Sequence, residues 1–157
     1  MRSVNIGKIC CGRIFAWGLC ALLAKAAFAQ APLPDSVPVV RENITIKLSE
    51  HVYVIPQGKT NSVPNVGIVV GTRATLVVDP GLGIPGGKAV LREVAKISRN
   101  REIYVATTHF HAEHITGGAA FPSGARFVRP KVQQQDIDEL GTAFLELFRK
   151  QIGRAQV

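Results

Sequence analysis

The sequence predicts an α+β domain, and three observations carry that expectation. Two apolar runs, 66–70 and 74–78, are joined by the turn Gly71-Thr72-Arg73 as in a β-hairpin. Val90, Leu91, Val94 and Ile97 then recur at helical spacing, with Lys88, Arg92 and Lys96 on the opposite face. A further apolar run, 103–107, reads as an interior strand and is followed at some distance by a second amphipathic pattern, Ile137, Leu140, Phe144, Leu147 and Phe148.

The first 29 residues are read as an address outside that domain. Arg2, Lys8 and Arg13 form a positive region, 14–23 is a ten-residue apolar run, and Ala27-Phe28-Ala29 offers small residues for cleavage. Ten apolar residues fall short of the roughly 20 that span a bilayer, so the expectation is a cleaved signal peptide, a periplasmic or secreted product and no stable membrane span afterwards. All three cysteines, Cys10, Cys11 and Cys20, lie in this leader, so the remaining 128 residues contain no thiol. Disulfides, Cys-based zinc sites and a catalytic cysteine are thereby excluded for the mature domain. The formal charge of +8 falls with the leader: 15 basic and 11 acidic residues remain, scattered along the chain, which argues against nucleic acid as a partner.

Residues 30–42, with three prolines among the first nine, read as a linker. The domain proper is expected over 43–157. It opens with strands at 43–48 and 51–55, where Ile44, Ile46, Val52 and Val54 alternate with polar neighbours. Loop chemistry fills 56–65, and Asp79-Pro80-Gly81 ends the hairpin sharply. A glycine-rich turn precedes the first helix, and a short strand is expected at 126–128.

The chemistry concentrates at the end of the interior strand. Thr108-His109-Phe110-His111-Ala112-Glu113-His114 holds three of the four histidines of the chain and a carboxylate. Neutral imidazole and carboxylate are good zinc ligands, and a strand end turning into a loop aims alternate side chains at one point. The spacing suggests His109 and His111 for one metal, with Glu113 and His114 directed elsewhere for a second. His51 has no neighbour to make a ligand pair and reads as a structural or surface residue. The acids Asp136, Asp138, Glu139 and Glu146 fall on or near the final helix as solvated positions.

At 109–114 the chain resembles the metallo-β-lactamase superfamily of metal-dependent hydrolases, whose signature H-x-H-x-D-H stands here as His-Phe-His-Ala-Glu-His, with Gly117 and Gly118 after it. The resemblance covers about 43–152. It implies an αββα sandwich built from two similar halves, of which this sequence matches only the N-terminal one. It further implies one or two Zn2+ ions, a small-molecule substrate such as a β-lactam, lactone, thioester or other ester, and metal-assisted hydrolysis. His109, His111 and His114 inherit metal ligation, Glu113 ligation or proton transfer, and Asp79 support of the ligands from behind. Glu113 departs from the family's Asp, and its extra methylene reaches roughly 1.5 Å further, which admits a one-metal site. The family's later ligands have no counterpart here, since no histidine or cysteine follows His114. A noncatalytic metal-binding half-domain, a homodimer whose two copies replace the internal duplication, and a nonfunctional remnant are the competing expectations.

Overall fold

A computed structural model describes residues 38–58 and 61–152. The leader, its cleavage site and most of the linker lie outside these residues. Six strands form one sheet in sequential order: β1 (Ile46–Lys47), β2 (Val52–Ile55), β3 (Val66–Val70), β4 (Ala74–Val78), β5 (Glu102–Ala106) and β6 (Arg126–Val128). The first four run antiparallel, as short connections require, and β4, β5 and β6 are mutually parallel. The longer connections carry the helices α1 (Gly83–Ile97) and α2 (Ala112–Ile115), the latter continued by a 3-10 turn over Thr116–Ala120. Helix α3 (Lys131–Ile152) follows β6.

Alternation along the strands decides where the core lies. Ile68, Val77 and Val105 are in register across β3, β4 and β5, and all are buried. With Ile55 and Val66 they form the core with Ala89, Val90 and Val94 of α1. The alternate row, Val52, Val69, Leu76, Tyr104 and Arg126, occupies the opposite face, and none of its members is buried.

Three boundaries depart from the sequence expectation. The strand expected at 43–48 shrinks to Ile46–Lys47, because Asn43 adopts φ 63° and its N–H turns to the Glu93 carboxylate at 3.0 Å instead of to a neighbouring strand. Helix α1 begins at Gly83, inside the expected glycine-rich turn. Pro85 is tolerated there because the first turn's N–H groups lack intrahelical partners in any case. One of these, Gly83 N–H, donates to Thr116 Oγ1 at 2.8 Å. Helix α3 begins six residues before Ile137, at Lys131. Gln133 is buried there and pins the helix to the end of β5, donating from Nε2 to Thr107 O at 3.0 Å and accepting from Thr107 Oγ1 at 3.1 Å.

Glu93 is only 1% exposed yet charged, and it ties the segment before β1 to α1. It accepts from Asn43 N–H, from Thr45 Oγ1 and from Lys96 Nζ. Burial pushes its carboxyl up, but these donors outweigh burial and hold it below the ordinary 4.5. A carboxyl with a lowered folded pKa stabilises the fold above its unfolded pKa and loses that contribution as pH falls through the folded value. Glu93→Gln is therefore expected to cost about 2 kcal/mol at pH 7, with the gap to the parent narrowing below about pH 4.5. Urea melts at pH 7 and pH 3.5 measure this; an equal gap at both would contradict it.

Candidate metal centre

Asp79 closes β4 in a left-handed conformation, φ 60°, which is costly for a residue with a Cβ and is concentrated at functional sites. Its own N–H extends the parallel ladder to Ala106 O at 2.9 Å, so the strand ends while the side chain turns toward the loop after β5. There its Oδ1 accepts Thr108 N–H at 2.7 Å, and its Oδ2 lies 2.9 Å from Thr108 Oγ1 and 3.0 Å from His114 Nδ1. Burial pushes this carboxyl up, and the hydrogen bonds from His114 and Thr108 more than offset it, leaving it below the ordinary 3.8. The buried carboxylate is thus an anion with all its partners on the motif.

The Thr108 hydroxyl has a single hydrogen, which goes to Asp79. Its 3.0 Å contact with His109 Nδ1 therefore has the imidazole N–H as donor. His109 is left with its Nε2 lone pair free, and His114, donating from Nδ1 to Asp79, is left with the same atom free. Orienting a ring through one nitrogen so that the other is presented is how proteins prepare imidazole for metal. Burial first, then repulsion from His114 and His111, pushes His109 below the ordinary 6.5, against the pull of Asp79 and Glu113. At neutral pH it is held in the neutral, ligating form.

The spacing suggested two separate pairs, but the structure gathers the three rings. The His109 ring centroid lies 4.0 Å from that of His114 and 4.6 Å from that of His111. The cause is α2: residues 112–115 turn helically at once after His111, which swings His114 back under His109. Glu113 occupies the same short helix, and its Oε2 is buried with no hydrogen-bond partner. An orphaned buried carboxylate oxygen beside three converging imidazoles is a donor set that fits a divalent cation. Among the described residues, however, no group of three or more His, Cys, Asp or Glu side chains is so arranged that it could hold a metal ion.

A cavity of about 440 Å³ adjoins this cluster. Gln57, Ser62 and Asn65 of the loop between β2 and β3 form one wall, and Asp79, Glu113 and His114 the other. Asn65 is fixed there by accepting Gln57 N–H through Oδ1 at 2.9 Å. On the far side, Phe144 of α3 stacks on His111 at 5.2 Å and 23° and meets Phe110 edge-on at 5.1 Å. His51 is exposed and faces Glu50, apart from this arrangement. Sequence reasoning missed Thr108 and Phe144. Thr108 carried a signal, as the hydroxyl residue immediately before the first histidine; Phe144 carried none beyond its place on an apolar helix face.

The sequence model of the metallo-beta-lactamase superfamily matches residues 60–148, more than half of the chain. The chain belongs to this superfamily. Solved metallo-β-lactamases agree in fold. One, a B3 enzyme with an active-site glutamic acid, superposes with a TM-score of 0.52 at 17% identity, covering 64% of this chain and 37% of that one. Another, from Erythrobacter litoralis with beta-mercaptoethanol in its active site, gives 0.50 at 17% identity, covering 66% and 49%. The chain thus spans less than half the length of either structure. No curated protein matches it. The α+β class, expected from the strand and helix patterns, and the correspondence to part of the metallo-β-lactamase fold, expected from the motif, hold. Among the described residues no helix is long and apolar enough to cross a membrane.

Proposed function

We propose that this chain is the exported N-terminal half of a zinc-dependent metallo-β-lactamase-fold hydrolase acting on a small molecule with an ester-like bond: a β-lactam, lactone, thioester or other ester. The observation that carries the reading is the convergence of His109, His111 and His114 at the end of β5 beside the partnerless Glu113 carboxylate. These four residues would hold one or two Zn2+ ions. When bound, zinc supplies Lewis-acid polarisation of a carbonyl or phosphoryl oxygen and acidification of water to a pKa of about 7. His109 and His114 present Nε2, Asp79 and Thr108 fix their rings, and Glu113 either ligates or takes a proton at Oε2. The cavity between the 57–65 loop and the motif receives the substrate. That a metallo-β-lactamase with an active-site glutamic acid shares the fold supports a place for Glu113 in this chemistry. Export rests on the leader, whose positive region, apolar run and Ala27-Phe28-Ala29 site match a signal peptide.

A second reading, a noncatalytic metal-binding homodimer, is favoured by the sheet face opposite α1, where Val69 is 36% exposed and the rest of the row is not buried. One experiment separates the two. Purified protein, dialysed against zinc and then against zinc-free buffer, is expected to retain metal. It is also expected to hydrolyse nitrocefin and 4-nitrophenyl acetate no faster than His109→Ala, because the later ligands that complete the family's catalytic sphere have no counterpart after His114. Absence of retained zinc would refute the metal assignment. Zinc-dependent turnover well above the variant would refute the noncatalytic reading, and a rise with protein concentration would show that a second copy completes the site.

A further inference from the structure

The short segment 40–45, just before β1, reaches from the surroundings of the candidate centre to α1. Val40 is 3% exposed and presses on the turn that follows Asp79: a Cβ on Gly81 would lie 2.8 Å from Val40 Cγ2. Arg41 crosses the loop between β2 and β3, where a Cβ on Gly58 would meet its Nη1 at 3.1 Å and its Cδ at 3.4 Å. The next residues are fastened to α1. Glu42 accepts from Arg92 through both carboxylate oxygens, from Nε at 2.9 Å and from Nη2 at 2.6 Å. Asn43 Oδ1 accepts from Lys96 Nζ at 2.8 Å, and the Asn43 N–H and the Thr45 hydroxyl both donate to the buried Glu93 carboxylate. One peptide thus meets both sides of the cavity, the Asp79-Pro80-Gly81 turn and the 57–65 loop, and is held by α1 at its far end.

That turn needs holding. Asp79 and Gly81 have φ 60° and 88°, and a left-handed residue with a Cβ persists only where its surroundings over-determine it. The bonds from Asp79 N–H to Ala106 O and from Gly117 N–H to Gly81 O fix the turn's polar groups. Val40 packs against the Gly81 Cα, and its β-branched side chain does so with little rotamer freedom. We propose that residues 40–45 are a strap that positions Asp79, with Glu93 as its anchor and Val40 as a positioning residue acting through Gly81. Asp79 in turn orients Thr108 and His114, so the strap sets the rings of the candidate centre. That these rings serve a metallo-hydrolase rests on the proposed function; the positioning of Asp79 does not.

The test reads the Thr108 amide, which donates to Asp79 Oδ1 at 2.7 Å, against the Val105 amide within β5. Hydrogen exchange of both is followed by NMR of the 15N-labelled chain at neutral pH, without added metal. Local loosening of the turn speeds Thr108 relative to Val105, whereas a loss of core stability alone does not. Val40→Ala is expected to raise that ratio about tenfold or more, and Glu93→Gln to raise it in the same direction. Val94→Ala truncates the same side chain in the same core and should leave the ratio as in the parent. So should Val40→Thr, which keeps the branched shape against Gly81 while burying a hydroxyl and lowering stability. If Val40→Ala does not fold, Glu93→Gln carries the same comparison. A ratio unchanged in Val40→Ala or in Glu93→Gln, or raised equally in Val94→Ala, overturns the strap and leaves Val40 as core packing. Absence of zinc binding with the expected ratios removes the metal reading and leaves the strap standing.

Discussion

Gly117→Ala is expected to lower the melting temperature by about 10 °C or more and to dissolve the candidate centre with it. A Cβ at this position would lie 2.2 Å from Pro80 O and 2.6 Å from Gly81 O, both backbone atoms that cannot rotate away. Gly117 N–H also donates to Gly81 O at 2.7 Å, so the 3-10 turn and the turn after β4 are clamped together. The same closeness recurs from α1, where a Cβ on Gly87 would meet Gly117 O at 2.0 Å. Overpacking typically costs about 1–3 kcal/mol and more when only backbone can yield, a large part of the 5–15 kcal/mol that holds a domain together. The displaced turn carries Asp79, hence the loss of order at the histidines. Gly124→Ala, where a Cβ meets nothing within 4 Å, is the control and should melt with the parent. Thermal unfolding by circular dichroism decides; a Gly117→Ala curve within a degree or two of the parent would show that the clamp is not needed.

The second large effect is on metal. His109→Ala/His111→Ala is expected to weaken zinc binding by at least about 100-fold. Even the outer partners of ligating imidazoles contribute about 10–100-fold, and this variant removes two of the proposed ligands outright. The remaining His114 and Glu113 sit on one short helix and cannot surround an ion. His51→Ala, which removes an exposed imidazole paired only with Glu50, should bind as the parent does. Competition with a chromophoric chelator measures both. Equal affinity of the double variant and the parent would remove the motif from any metal site, and a drop in His51→Ala would place the ligands elsewhere.

Much of this arrangement was legible before the structure because local chemistry and tertiary packing agree. Strands 66–70, 74–78 and 126–128 stand where the apolar runs put them, since Gly71-Thr72-Arg73 and Asp79-Pro80-Gly81 leave the backbone little choice. The start of α1 was hidden for the opposite reason. Gly83, Gly86 and Gly87 read locally as a turn, but Gly83 takes φ 58° as the helix opens and Gly87 lets α1 approach Gly117, whose O a Cβ would meet at 2.0 Å. The strand before residue 48 was over-read because Glu93, fifty residues away, takes the Asn43 N–H. Within the motif, periodicity cannot register a four-residue helix, so the return of His114 toward His109 was invisible. The role of Asp79 was anticipated only by resemblance; its left-handed backbone and its bonds to Thr108 and His114 are three-dimensional facts.

His109, His111, His114 and Glu113 are proposed to form one metal-binding cluster. Its most direct test is the visible absorption spectrum of the chain titrated with Co2+ under anaerobic conditions, because ligand-field bands report the atoms around the ion. The predicted result is saturable absorption of low-coordinate cobalt with nitrogen and oxygen ligands, complete at one or two equivalents and absent from His109→Ala/His111→Ala. Addition of Co2+ that leaves only the faint spectrum of the hydrated ion, or identical spectra from parent and double variant, would contradict it.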